Sequence, residues 1–210
     1  MEISETDLIA HLLDLSAERR ILCAVAGAPG SGKTTLARGL VAALNTRAPG
    51  CAEMVQMDGF HFDDLYLEPA GLRARKGAPE TFDVGGLRHM LSRLRAGEEE
   101  AVAVPVFDRE IEVARAGAQM VPRAARIIVV EGNYLLLARP PWDSLRAFFD
   151  VAVRVDVPEA ILRARLGARW QGLGLNVDEI AAKVEENDIP NGRLVQNHSQ
   201  PVDFLLRQDN

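Results

Sequence analysis

ILCAVAGAPGSGKTTLARGL, residues 21–40, decides how the rest of the chain is read. Its first part, ILCAVAG (21–27), is apolar throughout, holds β-branched members and ends in glycine, as expected for a strand covered on both faces in a parallel sheet. A helix is expected from Lys33 to about Asn45. Between the two, GAPGSGKT (27–34) satisfies the G-x-x-x-x-G-K-[ST] pattern in the strand-to-helix context that gives it meaning. Glycines let the backbone curl so that successive N–H groups converge on phosphate oxygens, and the helix N-terminus adds partial positive charge. Gly27, Ala28, Pro29, Gly30, Ser31 and Gly32 would form the cradle for a nucleoside triphosphate, Lys33 would reach its β and γ phosphates, and Thr34 would ligate Mg²⁺. Thr35 either touches the α phosphate or bonds locally in the first helical turn.

Working outward, TDLIAHLLDLSAER (6–19) has the apolar recurrence of an amphipathic helix. MVQMD (54–58), RIIVVEG (126–132), DVAVRVDV (150–157) and PVDFLLR (201–207) read as further strands. Helical stretches lie at about 84–96, 159–170 and 177–187, the first capped by Asp83 and the last by Asn176 or Asp178. Strands alternating with helices imply a parallel α/β sheet. The 210 residues hold no repeat or splitting linker and fit a single domain, 1–210.

Apolar residues make up 48 % of the chain and charged ones 26 %, the balance of an ordinary globular protein. A net charge of −6 argues against a nucleic-acid partner, whose affinity would come from Lys and Arg on phosphates, and favours a small substrate. Cys23 and Cys51 fit no zinc or redox spacing and read as packing residues. The N-terminal segment has no basic start or cleavage site, and no apolar run approaches the roughly 18 residues of a membrane span, so no membrane partner and a cytoplasmic location are expected. Oligomeric state stays open, a homodimer included.

Ligands of such a sheet bind beyond the carboxyl ends of its strands. Two acids stand there, Asp58 closing MVQMD and Glu131 closing RIIVVEG, each followed by glycine. Asp58 could accept the proton of an attacking hydroxyl, or simply form a turn before Gly59; Glu131 could hold the metal directly or through water.

With these residues in place the chain resembles the P-loop kinases that include uridine kinase, phosphoribulokinase and bacterial pantothenate kinase. The resemblance rests on GAPGSGKTT (27–35), MDGFHFDD (57–64), GLRARKGAPETFD (71–83), VPVFDR (104–109) and VVEGNYLLL (129–137), and so covers nearly the whole chain. It implies a three-layer αβα fold with a five-stranded parallel sheet and a helical lid, here at about 159–187. It also implies Asp58 as general base, Glu131 as the magnesium-associated acid, and ATP with Mg²⁺ as cofactors. Arg163, Arg165 and Arg169 fall where such a lid carries phosphate-contacting arginines; Arg165 and Arg169, four apart, share a helix face and are the pair expected to act in catalysis. Asn187, in the cluster NDIPN after the last expected helix, falls where the family's chain returns to the nucleotide base, although a helix stop explains the same residues.

The departures bear on the acceptor. Uridine kinases have a tyrosine and, five residues on, a histidine where this chain has Phe107 and Glu112; pantothenate kinases have a histidine where it has Arg109. His61, close after Asp58, either lines the acceptor pocket or is a structural loop histidine. Arg73, Arg75 and Lys76 either draw an anionic acceptor or are solvated, and solvation is the expectation. The resulting expectation is a small-molecule kinase that moves the γ-phosphoryl group of ATP to an alcohol, with a sugar first, in the manner of the fructose-kinase-like members. Nucleosides and pantothenate follow. The rival from another class is a nucleotide-dependent switch with slow hydrolysis, which would lack the base or the acceptor pocket.

Overall fold

A computed structural model of the protein describes residues 1–208, so the last two residues of the expected domain lie outside the described part. The chain opens with α1 (Glu5–Ser16), closed at its start by the Ser4 side chain accepting from the Asp7 N–H. Then come β1 (Ile21–Gly27), α2 (Lys33–Arg47), β2 (Ala52–Gln56) and the one-turn helix α3 (Asp64–Leu67), followed by α4 (Val84–Ala96). The chain continues through β3 (Ala101–Asp108), β4 (Val113–Pro122), β5 (Ile127–Gly132) and β6 (Val151–Asp156). It ends with α5 (Glu159–Gly172), α6 (Val177–Ala182), α7 (Ile189–His198) and β7 (Phe204–Arg207).

The main sheet has five strands in the order β2-β5-β1-β6-β7, and its pairings are parallel. Alternate residues of β1 serve two cores, which is why its sequence is apolar without interruption. Leu22, Ala24 and Ala26 pack with Leu87, Leu91 and Trp142 on one face, while Ile21, Cys23 and Val25 pack with Leu8, Leu12 and Leu40 on the other. Each buried leucine contributes roughly 2 kcal/mol. The sheet is thus covered on both faces, the expected three-layer α/β arrangement. Asp83 and Asn176 cap α4 and α6 as expected, the latter in a capping box with Glu179. Among the described residues no helix is long and apolar enough to cross a membrane.

Three expectations are corrected. β2 ends at Gln56, and Asp58 belongs to a 3-10 turn over Met57–Phe60. That turn presses directly on β3: a Cβ at Gly59 would collide with the Pro105 carbonyl, so the close approach requires glycine. The antiparallel hairpin β3–β4 was not expected at all. β4 is largely exposed and so carries little apolar alternation, and Pro105 sits at an irregularity between Val104 and Val106 where a missing N–H is tolerated. Finally, NDIPN does not follow the last helix. A π-helical turn, Lys183–Asp188, joins α6 to α7 without a break, and Pro190 stands directly after it in the first turn of α7.

Candidate active site

At the carboxyl end of β1 the chain enters the glycine loop. Gly30 and Gly32 have φ of 77° and 81°, left-handed values that side chains resist. Gly32 is also the N-cap of α2 and offers no side chain to the first amides, which leaves that helix end available to an anion. Pro29, Gly30, Gly32, Lys33, Thr34 and Thr35 form one wall of a cavity of about 370 Å³. Gly27, Ala28 and Ser31 do not reach it; they are buried behind the loop, and a Cβ at Gly27 would come within 2.6 Å of Ser31 Oγ. Burial pushes the Lys33 ammonium down, while Glu131 and Asp58 act to keep it charged.

Glu131 is 2 % exposed at the end of β5, next to Val25 of β1 in the parallel register. Its Oε1 accepts from Thr34 Oγ1 at 3.1 Å and from Gln56 Nε2 at 3.2 Å. Burial raises its carboxyl above the ordinary range, opposed mainly by Lys33. Asp58 is half-buried, and Arg109 Nη2 donates to its Oδ2 at 2.6 Å. Burial would raise the Asp58 carboxyl too, but His61, Arg109 and Lys33 together outweigh it and hold the group below its usual value. His61 sets its Nδ1 2.7 Å from the Asp58 carbonyl and its ring 4.0 Å from Phe82 and 4.6 Å from Phe107. Burial lowers its imidazole below the ordinary value, opposed by the Asp58 carboxylate and carbonyl.

The opposite wall comes from the hairpin and from the segment before α4. Phe107 is buried between two cations, Lys76 Nζ at 5.6 Å and the Arg109 guanidinium at 5.9 Å from its ring centroid. Lys76 corrects the expectation of solvation: its side chain is 6 % exposed, bonded to Asp64 Oδ1 at 2.7 Å and to the Glu112 carbonyl at 2.6 Å. Glu112 therefore contributes its backbone oxygen, in a left-handed turn of φ 55°, beside an exposed side chain. Arg73 shares Asp64, whereas Arg75 pairs with Glu80.

From the helical side, Arg169 and Asn187 reach the cavity, and Arg165 Nη1 lies 3.4 Å from the Gly30 carbonyl. Arg163 is turned to Glu159 and Glu185, away from the loop. Asn187 accepts from Asn191 Nδ2 at 3.1 Å. Cavity residues that sequence reasoning missed include Asn133, Trp170 and Lys183, whereas Asp188 and Asn191 belong to the NDIPN cluster. Asn133 was signalled by its place just past Glu131 and Gly132, and its buried Oδ1 has no partner. Trp170 had no such signal; its Nε1 donates to Oδ2 of Asp188 in the NDIPN cluster at 2.7 Å. Thr34 Oγ1 and Glu131 Oε1, 3.1 Å apart, are oxygen donors of the kind a hard cation shared with phosphate oxygens takes.

The model of the phosphoribulokinase / uridine kinase family matches residues 22–169, which include the glycine loop, both acids and the hairpin. The chain belongs to this family. A Schizosaccharomyces pombe protein provisionally named a uridine kinase is 31 % identical over 201 residues, covering 92 % of this chain and 86 % of its own. A pantothenate kinase of Streptomyces avermitilis is 38 % identical over 148 residues, 66 % of this chain but 44 % of its own length. Among solved structures, one from Silicibacter sp. TM1040, provisionally named a fructose transport system kinase, superposes with a TM-score of 0.89 at 43 % identity, over 97 % of this chain and 98 % of the other. This member of the phosphoribulokinase / uridine kinase family is an ATP-dependent phosphotransferase with a small metabolite as acceptor.

Proposed function

We propose that the chain transfers the γ-phosphoryl group of ATP to a hydroxyl of a small sugar, with Asp58 as the general base. The observation that carries the reading is the convergence on one cavity of the open N-terminus of α2, Lys33, and Asp58 in its pair with Arg109. Lys33 and the α2 amides hold the β and γ phosphates. Arg165 and Arg169, from the lid formed at about 159–187, face the transferring group, and Asn187 faces the base. Thr34 and Glu131 would hold Mg²⁺, which when bound would neutralise charge on the phosphate oxygens.

Asp58, held ionised by its neighbours, accepts a hydrogen bond from the acceptor hydroxyl and takes its proton as the new P–O bond forms and the bond from the γ phosphorus to the β–γ bridging oxygen breaks, releasing ADP. Arg109 then has a choice of partner: it can leave Asp58 for a sugar oxygen, raising the basicity of the carboxylate as it goes. Phe107 gives the sugar ring an apolar floor, while His61 and Glu112 present polar atoms at its edge. A nucleoside base would find the stack on Phe107 but no histidine at 112 to read its edge, which supports the sugar. Closure of the helical lid excludes water.

Coupled ADP release at fixed Mg-ATP against fructose, ribulose, uridine, cytidine and pantothenate tests the proposal. A sugar is expected on top; a nucleoside or pantothenate on top removes the sugar, and turnover of none of them removes the assigned acceptor chemistry.

A further inference from the structure

A second cavity, of about 620 Å³, opens at the other end of the sheet, where Arg19, Arg20, Arg95, Arg123 and Arg126 converge. These residues precede β1, end α4 and bridge β4 to β5, so they crowd the amino ends of the central strands. The seven residues of β1 separate them from the glycine loop by about 20 Å. The site is therefore distinct from the kinase cavity.

Two carboxylates face the cluster. Asp150, 4 % exposed, is shared by Arg19 and Arg95 and is pinned by the Leu22 N–H; Glu100, 96 % exposed, lies 3.9 Å from Arg123. Five guanidinium groups against two carboxylates leave an excess of three positive charges on a chain whose net charge is −6. Arg20 is built into the wall. Its Nε donates to the Ala125 carbonyl, Nη1 to Leu94 and Nη2 to Pro122 and Arg123, with lengths of 2.8–2.9 Å. Carbonyls fix its position but leave its charge uncompensated, and among the described residues no carboxylate pairs with it. Arg126 is likewise anchored by one donor on the Ala17 carbonyl.

We infer that this cavity binds a small metabolite bearing two or more phosphoryl groups. Arg19, Arg123 and Arg126 keep guanidinium donors for phosphate oxygens, while the fixed charge of Arg20, its donors mostly taken by carbonyls, adds attraction. A concave site of this volume suits a small molecule, whereas a nucleic acid would call for an extended basic stripe.

The test uses inorganic tripolyphosphate without metal, titrated calorimetrically into full-length Lys33→Ala protein, in which the phosphate loop is weakened and any binding left to its amides is the same in every variant compared. Saturable binding is expected, and Arg19→Ser with Arg123→Ser in the same background should weaken it at least tenfold. Both changes are at exposed positions and leave the four Arg20 bonds and the Arg95–Asp150 pair intact, so the thermal midpoint should hold. Arg123→Glu alone, a single surface change, should weaken binding at least threefold. Absence of saturable binding to Lys33→Ala protein, or equal binding by the arginine variants, overturns the inference; neither result bears on the kinase reading.

Discussion

The two walls of the kinase cavity are built by opposite means. The phosphate wall is one short stretch of chain, residues 29–35, shaped by left-handed glycines and backed by buried Gly27, Ala28 and Ser31. The acceptor wall is assembled from residues far apart in sequence, Asp58, Lys76, Phe107 and Arg109, and is held by ion pairs and ring contacts. A backbone cradle is indifferent to what lies beyond the phosphates. A wall of paired charges must exchange partners when substrate enters, so it can discriminate between acceptors. On the proposed reading, the first wall serves the phosphoryl transfer and the second the choice of acceptor.

Removing the charge at the centre of the phosphate wall should have the largest effect. Lys33→Ala is expected to lower kcat/KM by about 10³, roughly 4 kcal/mol of transition-state stabilisation, while the thermal midpoint without nucleotide moves little because burial already disfavours that ammonium. Steady-state kinetics beside a melting curve checks both halves, and near-normal turnover would break the comparison at its stronger side.

Asp58→Asn keeps the shape of the acceptor wall but cannot take a proton. A loss of roughly 10² in kcat is expected, with ATP affinity by calorimetry unchanged. If affinity falls together with turnover, Asp58 belongs to the phosphate wall instead. Next in size is the acceptor preference. Fructose should exceed uridine by at least roughly tenfold in kcat/KM, a margin of about 1.4 kcal/mol, because polar groups meeting the wrong acceptor are left unpaired. Initial rates at fixed Mg-ATP measure it.

The smallest effect concerns pH. The base works ionised, so kcat/KM rises as pH rises through the Asp58 titration, and the depressed value places that limb below the ordinary carboxylate range of about 4. Arg109→Ala removes one of the charges that oppose burial, and the acid limb should move upward with only a severalfold loss at pH 7.5. A pH–rate profile that stays in place would detach Arg109 from the base.

What could be read in advance follows the same division. The loop, β1 and α2 were legible because pattern, period and context coincide within about twenty residues. The sheet was legible because apolar strands alternate with helices, although neighbours such as β1 and β5, which bring Thr34 to Glu131, are set by topology that spacing does not reveal. Asp58 was found by a strand-end rule even though β2 stops two residues earlier. The Asp58–Arg109 pair spans 51 positions and depends on a hairpin whose exposed second strand gives no periodic signal. Lys76 was misread because a basic run is normally solvated; its burial requires Asp64 and a carbonyl of the β3–β4 turn to arrive together. The π turn at Lys183–Asp188 has no composition of its own, so one continuous helical segment was divided at NDIPN.

The bare start of α2 carries a consequence for the lifetime of the protein. A helix whose first amides meet no side chain is completed by the anion it binds, which makes the nucleotide part of the fold. Nucleotide at a hundred times its dissociation constant would add about 2.7 kcal/mol to the folded state, comparable to a well-placed core leucine. The nucleotide concentration of the surroundings would thus set how long the chain survives proteolysis as well as how fast it works.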